Sequence, residues 1–165
     1  MDKPSKEVLK SGKVLRLLKN RFLENPNREN IIPLFNCLID SDLYVPMKAN
    51  IDPFDEEKFK KAKAGDEIIL SNDISLKPDF LLLKENKNVL FLPIFSSVSE
   101  AGEDYGDYFS WINFSLDQCF ELIKNNPKAE GFILDPFSNQ MMITKELLDV
   151  LEDMLKLTRK AERNK

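Results

Sequence analysis

The segment NVLFLPIF, residues 88–95, constrains the fold more than any other part of the chain. After Asn88 it carries no polar side chain, so it has no wet face alternating with a dry one. A strand of this kind is stable where both faces of its sheet are covered. The preceding DFLLLK, residues 79–84, has the same character, and the short polar ENKN between them predicts an antiparallel hairpin. Covering elements are therefore required on both sides, and the rest of the sequence must supply them.

It does so with amphipathic helices. Leu15, Leu18 and Phe22 keep helical spacing while Lys6, Lys10 and Lys13 share another face, which predicts a basic first helix over 5–24. ENPN breaks it. A second helix is expected over 28–40, capped by Asn27, with Ile31, Leu34, Phe35 and Leu38 inward and Pro33 early enough to be tolerated. DLYVPMKAN reads as a short strand from Leu43 to Met47, which Pro46 would confine to an edge or a strand end. Asp52 and Pro53 open a third helix that stops before Gly65, and EIILS, residues 67–71, follows as a strand. Ser115 and Gln118 have the spacing of a capping box, ahead of a buried stripe of Leu116, Cys119, Phe120 and Ile123. GFILDPFSNQMMIT gives two strands around a DPFSN turn. Thr144 then caps a last helix with Leu147, Leu148, Leu151, Met154 and Leu155 inward. Strands bunch instead of alternating with helices. The expected fold is α+β: a single layered domain with a mixed or largely antiparallel sheet covered by helices. Residues 1–24 form a basic helix within or appended to it, 25–158 the main body, and 159–165 a frayed basic tail.

The composition removes whole classes of chemistry. There is no histidine, so Ser-His-Asp, Cys-His and zincin mechanisms are excluded. Cys37 and Cys119 lie in apolar helical patterns and read as small core residues, neither a disulfide nor a metal pair. SGKVL at Ser11 lacks the leading glycine and the preceding strand of a phosphate loop. No cofactor is implied. No apolar run approaches the roughly 20 residues that span a bilayer, and MDKPSKEVLK has no signal-peptide core. The cytoplasm is the expected location. The net charge of −4 hides an acidic middle between basic ends, +5 over 1–21 and +4 over 156–165. The acidic body would repel phosphates, and the basic helix has neither Trp nor an aromatic stacking set, so neither a nucleic acid nor a membrane is the expected partner.

Four segments in order, LIDSDLYVPM, LFLPIFSSVSEA, FSWINFSLDQCFELI and GFILDPFSNQMMITKELLDVL, resemble the N-terminal domain of the SseB family, named for enhanced serine sensitivity. The resemblance covers roughly residues 28–151. It implies a helix leading into a proline-bearing strand, a strand ending at FSS, a helix, and a turn before the final helix. Asp135 stands where the family often has Asn before proline, and longer members carry a second domain without counterpart here. The resemblance implies a fold and carries no defined activity.

The candidate site is the stretch from Phe95 to Trp111 together with the Asp135–Phe137 turn. Its expected binding residues are Ser96, Ser97, Glu100, Glu103, Asp104, Tyr105, Tyr108, Trp111 and Phe137. Ser96, Ser97 and Ser99 follow a buried strand, where hydroxyls and free N–H groups can hold a small ligand. Tyr and Trp bury large areas with few rotamers, and an acidic rim selects a basic partner. No catalytic residue is expected, and the favoured reading is a non-enzymatic domain binding a protein partner or a small ligand. The alternative is a metal-dependent enzyme using Glu100, Glu103, Asp104 and Asp107. An EF-hand does not fit: with Gly106 at position six, Ala101 and Ile112 fall at one and twelve. The sequence leaves the oligomeric state open.

Overall fold

The computed structural model describes residues 5–50, 53–67, 69, 75–82, 89–107 and 109–165. The apolar segment becomes β4 (Leu90–Ile94), buried from Phe91 onward. It is flanked on one side by β3 (Leu81–Leu82), antiparallel as expected, and on the other by β6 (Ala129–Leu134), which runs parallel to it. β7 (Met141–Ile143) folds back antiparallel on β6 through the DPFSN turn. The order β3-β4-β6-β7 thus places two largely apolar strands at the centre. The ENKN turn itself lies outside the described residues.

A second sheet has the order β2-β1-β5, with β1 (Leu43–Asn50) central, β2 (Ser75–Pro78) on one side and β5 (Ser110–Phe114) on the other. Both pairings are antiparallel. The sheets meet where Tyr44 and Phe95 exchange two backbone hydrogen bonds, of 3.0 and 2.9 Å. The edge position expected for Pro46 is corrected here, because β1 is paired on both sides. The N–H and C=O of a strand residue point to the same neighbour. The Pro46 carbonyl accepts from Asp79 N, 3.1 Å away, and the donor proline lacks would lie on that same side. That is the point where β1 passes from the Phe95 bridge to the β2 ladder, so the missing N–H costs only the reciprocal bond to Asp79 at the end of that ladder.

Helices cover this framework as the apolar strands require. The expected first helix is two, α1 (Lys6–Lys10) and α2 (Lys13–Glu24), broken at Ser11–Gly12. Gly12 has φ +72°, and a Cβ there would collide with the Ser96 carbonyl oxygen, so only glycine lets this helix start so close to the end of β4. α3 (Arg28–Asp40) matches its expected bounds, with Asn27 Oδ1 accepting from Asn30 N at 2.9 Å. Pro53 does open α4 (Pro53–Lys61), while its expected cap Asp52 lies outside the described residues. Of the strand expected over 67–71, residues 68, 70 and 71 also lie outside them, and 67 and 69 are not in a strand. α6 (Leu116–Lys124) starts on the full capping box of Ser115 and Gln118. α7 (Lys145–Arg163) continues past 159, because Arg159 bonds Asp117 at 2.8 Å and Glu162 at 3.1 Å. Thr144 stands at its N-cap, but the hydroxyl makes no capping bond. Leu15, Leu34, Phe35, Leu38, Leu116, Phe120, Leu151 and Leu155 from the helices pack with Leu43, Val45, Leu92, Ile94, Phe132 and Leu134 from the strands in one core. The fold is α+β, with two largely antiparallel sheets under helices.

Both cysteines are free and buried in that core. Burial pushes the Cys119 thiol up to about 12, with a smaller contribution from Asp117. Burial likewise raises Cys37, against a hydrogen bond from Ser41 that lowers it. An acid whose folded pKa is raised is deprotonated more readily in the unfolded chain. Cys119 therefore contributes stability that is full below pH 9 and is lost as pH rises toward about 12. We expect urea midpoints to fall steadily across that window, and dithiobis(nitrobenzoate) to label neither thiol until the chain unfolds. Rapid labelling of native protein at pH 8 would contradict the buried placement.

Candidate functional site

The parallel strands β4 and β6 end side by side, and three elements converge at their carboxyl ends. β4 continues into Phe95 and Ser96. β6 runs into Asp135, whose N–H donates to Ile94 O at 2.9 Å. α2 lies across both. Asp135 has φ +48°, a left-handed conformation that Asp and Asn tolerate better than other side chains. This turns the chain sharply and directs the carboxylate back into the protein, where it is fully buried.

The buried carboxylate is saturated with donors. Lys19 Nζ lies 2.9 Å from Asp135 Oδ2 and also donates to Ser138 O at 2.9 Å. Ser96 N donates to Oδ1 at 2.8 Å, and Ser96 Oγ lies 2.9 Å from Oδ2. Lys19 is 1% exposed, so its charge has no access to water and depends on this partner. One turn earlier on α2, Arg16 donates to Ser96 Oγ at 3.1 Å and Ser97 Oγ at 3.3 Å, and it pairs with Glu100 at 3.3 Å. Asn139 Nδ2 reaches Asn20 Oδ1 at 2.6 Å. The turn from 135 to 139 is thus tied to α2 at both ends.

On top of this polar centre sits an aromatic layer. Phe95 is fully buried and meets Trp111 edge-on, with centroids 5.0 Å apart. Tyr105 packs on Phe109 at 4.6 Å and on Phe137 at 4.7 Å, and Phe95 lies 6.1 Å from Phe137. Tyr105 comes from α5 (Glu103–Gly106), a single turn following a 3-10 turn at Val98–Ala101. Its hydroxyl donates to Asp79 Oδ2 at 3.2 Å. Burial, and next the Asp79 carboxylate, push the phenol well above its ordinary range, so it remains a neutral donor. Trp111 Nε1 donates to Gly106 O at 2.7 Å, which closes the loop onto β5. Phe137 remains 53% exposed at the tip of the tied turn.

The structure therefore divides the expected site residues. Tyr105, Trp111 and Phe137 come together. Glu103 and Asp104 are exposed on α5, and Asp107 is exposed just after it. Ser96 is 1% exposed, and its hydroxyl is engaged by Asp135, so it supports the turn. Ser97 is half-buried and Glu100 is held by Arg16. Tyr108 lies outside the described residues. Among the described residues no three Cys, Asp or Glu side chains are grouped so as to hold a metal ion. No helix among them is long and apolar enough to cross a membrane. Sequence reasoning missed Arg16, Lys19 and Asp79. Lys19 had a signal, since it lies four residues after Leu15 on the apolar stripe of α2.

Asp135→Asn tests the polar centre. Asn keeps an acceptor for Ser96 N and tolerates the left-handed backbone, but it leaves the Lys19 ammonium buried without a counter-charge. Breaking a buried pair in this way costs about 3–5 kcal/mol. Urea denaturation should show a loss of that size, partly recovered in Asp135→Asn combined with Lys19→Met. Equal stability of wild type and Asp135→Asn would contradict the dependence of Lys19 on this carboxylate.

Two comparisons return nothing: no curated protein and no solved structure matches this chain. A third does. The family model of the SseB protein N-terminal domain matches residues 17–149, from the middle of α2 into α7. The matched stretch includes Lys19, β4, the aromatic layer and the Asp135 turn, and it spans well over half of the chain. The chain belongs to the SseB family, of which it carries the N-terminal domain.

Proposed function

We propose that this domain is a non-enzymatic cytoplasmic binding module that docks a protein partner presenting basic residues on the aromatic layer. One observation carries the reading: Phe137 is an exposed aromatic ring on a turn that buried charge holds rigid. A large ring left in water is unfavourable for the isolated domain. Here the supporting turn is anchored by Lys19, Ser96 and Asn20, so the ring is pre-organised and binding need not order it. Tyr105 packs against it, Trp111 packs in turn on Tyr105, and Glu103, Asp104 and Asp107 are exposed on the segment that carries Tyr105. Aromatic anchors with a charged rim give affinity from the rings, and association rate and selectivity from the charges. The polar centre below is fully hydrogen-bonded and buried, which suits support better than catalysis.

Phe137→Ala and the pair Glu103→Gln/Asp104→Asn separate the two contributions. Each changes an exposed side chain and should leave the circular dichroism spectrum unchanged. In capture experiments with the folded domain as bait, Phe137→Ala should abolish retention of the specific partner. The double neutralisation should weaken it about tenfold and reduce its salt dependence, as loss of steering charge does. If both variants fold and retain every captured protein at wild-type levels, the surface reading fails.

A further inference from the structure

We propose that the outer edge of β5 pairs two copies of this chain into an antiparallel dimer with a continuous sheet. The first observation is the direction of the β5 backbone. Tyr44 gives both its N–H and its C=O to Phe95, and the Pro46 carbonyl is taken by Asp79, so neither residue faces β5. Asn113 and Trp111 stand opposite these two residues. In an antiparallel ladder their own N–H and C=O groups must then point away from β1, to the far side. Among the described residues no strand pairs with that side.

The second observation is that this edge alone lacks the usual protection. Among the described residues the two sheets present four edge strands. β2 carries Lys77 and Pro78, β3 has two residues, and β7 has three. Charge, proline and shortness are the devices that keep strand edges from pairing. β5 reads SWINF over five residues, with no charge and no proline. Ser110 and Asn113 are exposed and Trp111 is only half-buried.

The third observation selects a second copy as the occupant. A two-fold axis through Ile112 sets Trp111 opposite the partner's Asn113 in hydrogen-bonded pairs, so the four outward groups of each strand all find mates. The one residue that meets itself is Ile112, which is apolar. No charged side chain on the strand is opposed by its like. Antiparallel pairing also places the two acidic segments, 103–107, at opposite ends of the interface. Each then approaches the N-terminus of the other copy's α6, whose Asp117 is already paired with Arg159 at 2.8 Å. The backbone dipoles of that terminus favour negative charge. A two-fold interface needs this kind of self-complementarity.

Analytical ultracentrifugation of the full chain tests the pairing without any other partner. Over about 1 µM to about 1 mM, a range that brackets weak association, the mass should rise from 19.1 kDa toward twice that value. Asn113→Pro removes one outward N–H and none used in the β1 ladder, at an edge position where proline is compatible with a strand. It should hold the chain monomeric throughout while the melting temperature of the dilute protein stays within a degree or so of wild type. Ile112→Cys should cross-link two copies on mild oxidation, since residues at such a non-hydrogen-bonded position have Cα atoms about 4.5 Å apart. A wild-type chain that stays monomeric across the series overturns the proposal. So does a dimer that persists in Asn113→Pro. Neither result decides the reading of the aromatic surface, which is probed separately at Phe137, Glu103 and Asp104.

Discussion

The ion pair between Lys19 and Asp135 is the constraint on which the rest of the site depends. Each group is withdrawn from water, so each needs the other in place. A buried pair of this kind is weak evidence for net stability, because desolvation offsets much of the attraction. Its effect is on specificity. It admits one position of α2 against the ends of β4 and β6, and it fixes a left-handed residue at the start of the turn. Ser96 completes the carboxylate's coordination from β4, so three elements distant in sequence share one electrostatic centre.

The aromatic layer inherits its geometry from that centre. Phe95 is the residue before Ser96, and Phe137 is two residues after Asp135. Holding Ser96 and Asp135 together therefore holds the two rings at 6.1 Å, with Tyr105 between Phe137 and Phe109. The loop that brings Tyr105 and Trp111 is long and acidic, yet it is pinned by Arg16 on Glu100, by Asp79 on Tyr105 and by Gly106 on Trp111. The buried polar contacts and the exposed rings are two levels of one arrangement. Substitutions at the lower level should change the upper one without touching it.

Much of the fold was legible because its signals are local. The apolar run at 88–95, the capping box at Ser115, the Asn27 cap and the DPFSN turn each state their own structure within a few residues. Unread were features set by distant partners. The break at Gly12 follows from the Ser96 carbonyl pressing on the helix, a contact 84 residues away in sequence. The strand SWINF exists because β1 lies beside it, and Pro46 is central because two neighbours share its sides. In the site, the rings and carboxylates were visible as a cluster of residue types. Their division into buried support and exposed surface was not, since Ser96 and Ser97 look alike in sequence, yet Ser96 is buried against Asp135 while Ser97 is half-buried against Arg16 and Ser99. The charge at Asp135 is intelligible only beside Lys19, because a buried ammonium requires a charged acceptor.

Trp111 is the point at which the two proposed surfaces meet. Its ring belongs to the aromatic layer through Phe95 and Tyr105, while its backbone belongs to the outer edge of β5. Pairing two strands along that edge would restrict the backbone of residues 110–114 and, through the Gly106 bond, the loop that carries Tyr105. A strand ordered on both sides loses less entropy when its side chains are later engaged. Dimer formation and partner docking would then favour one another without any change in contact at Phe137. The coupling runs through one residue, by its indole hydrogen bond to Gly106 and by its ring contacts with Phe95 and Tyr105, so it should depend on Trp111 far more than on the area of either surface.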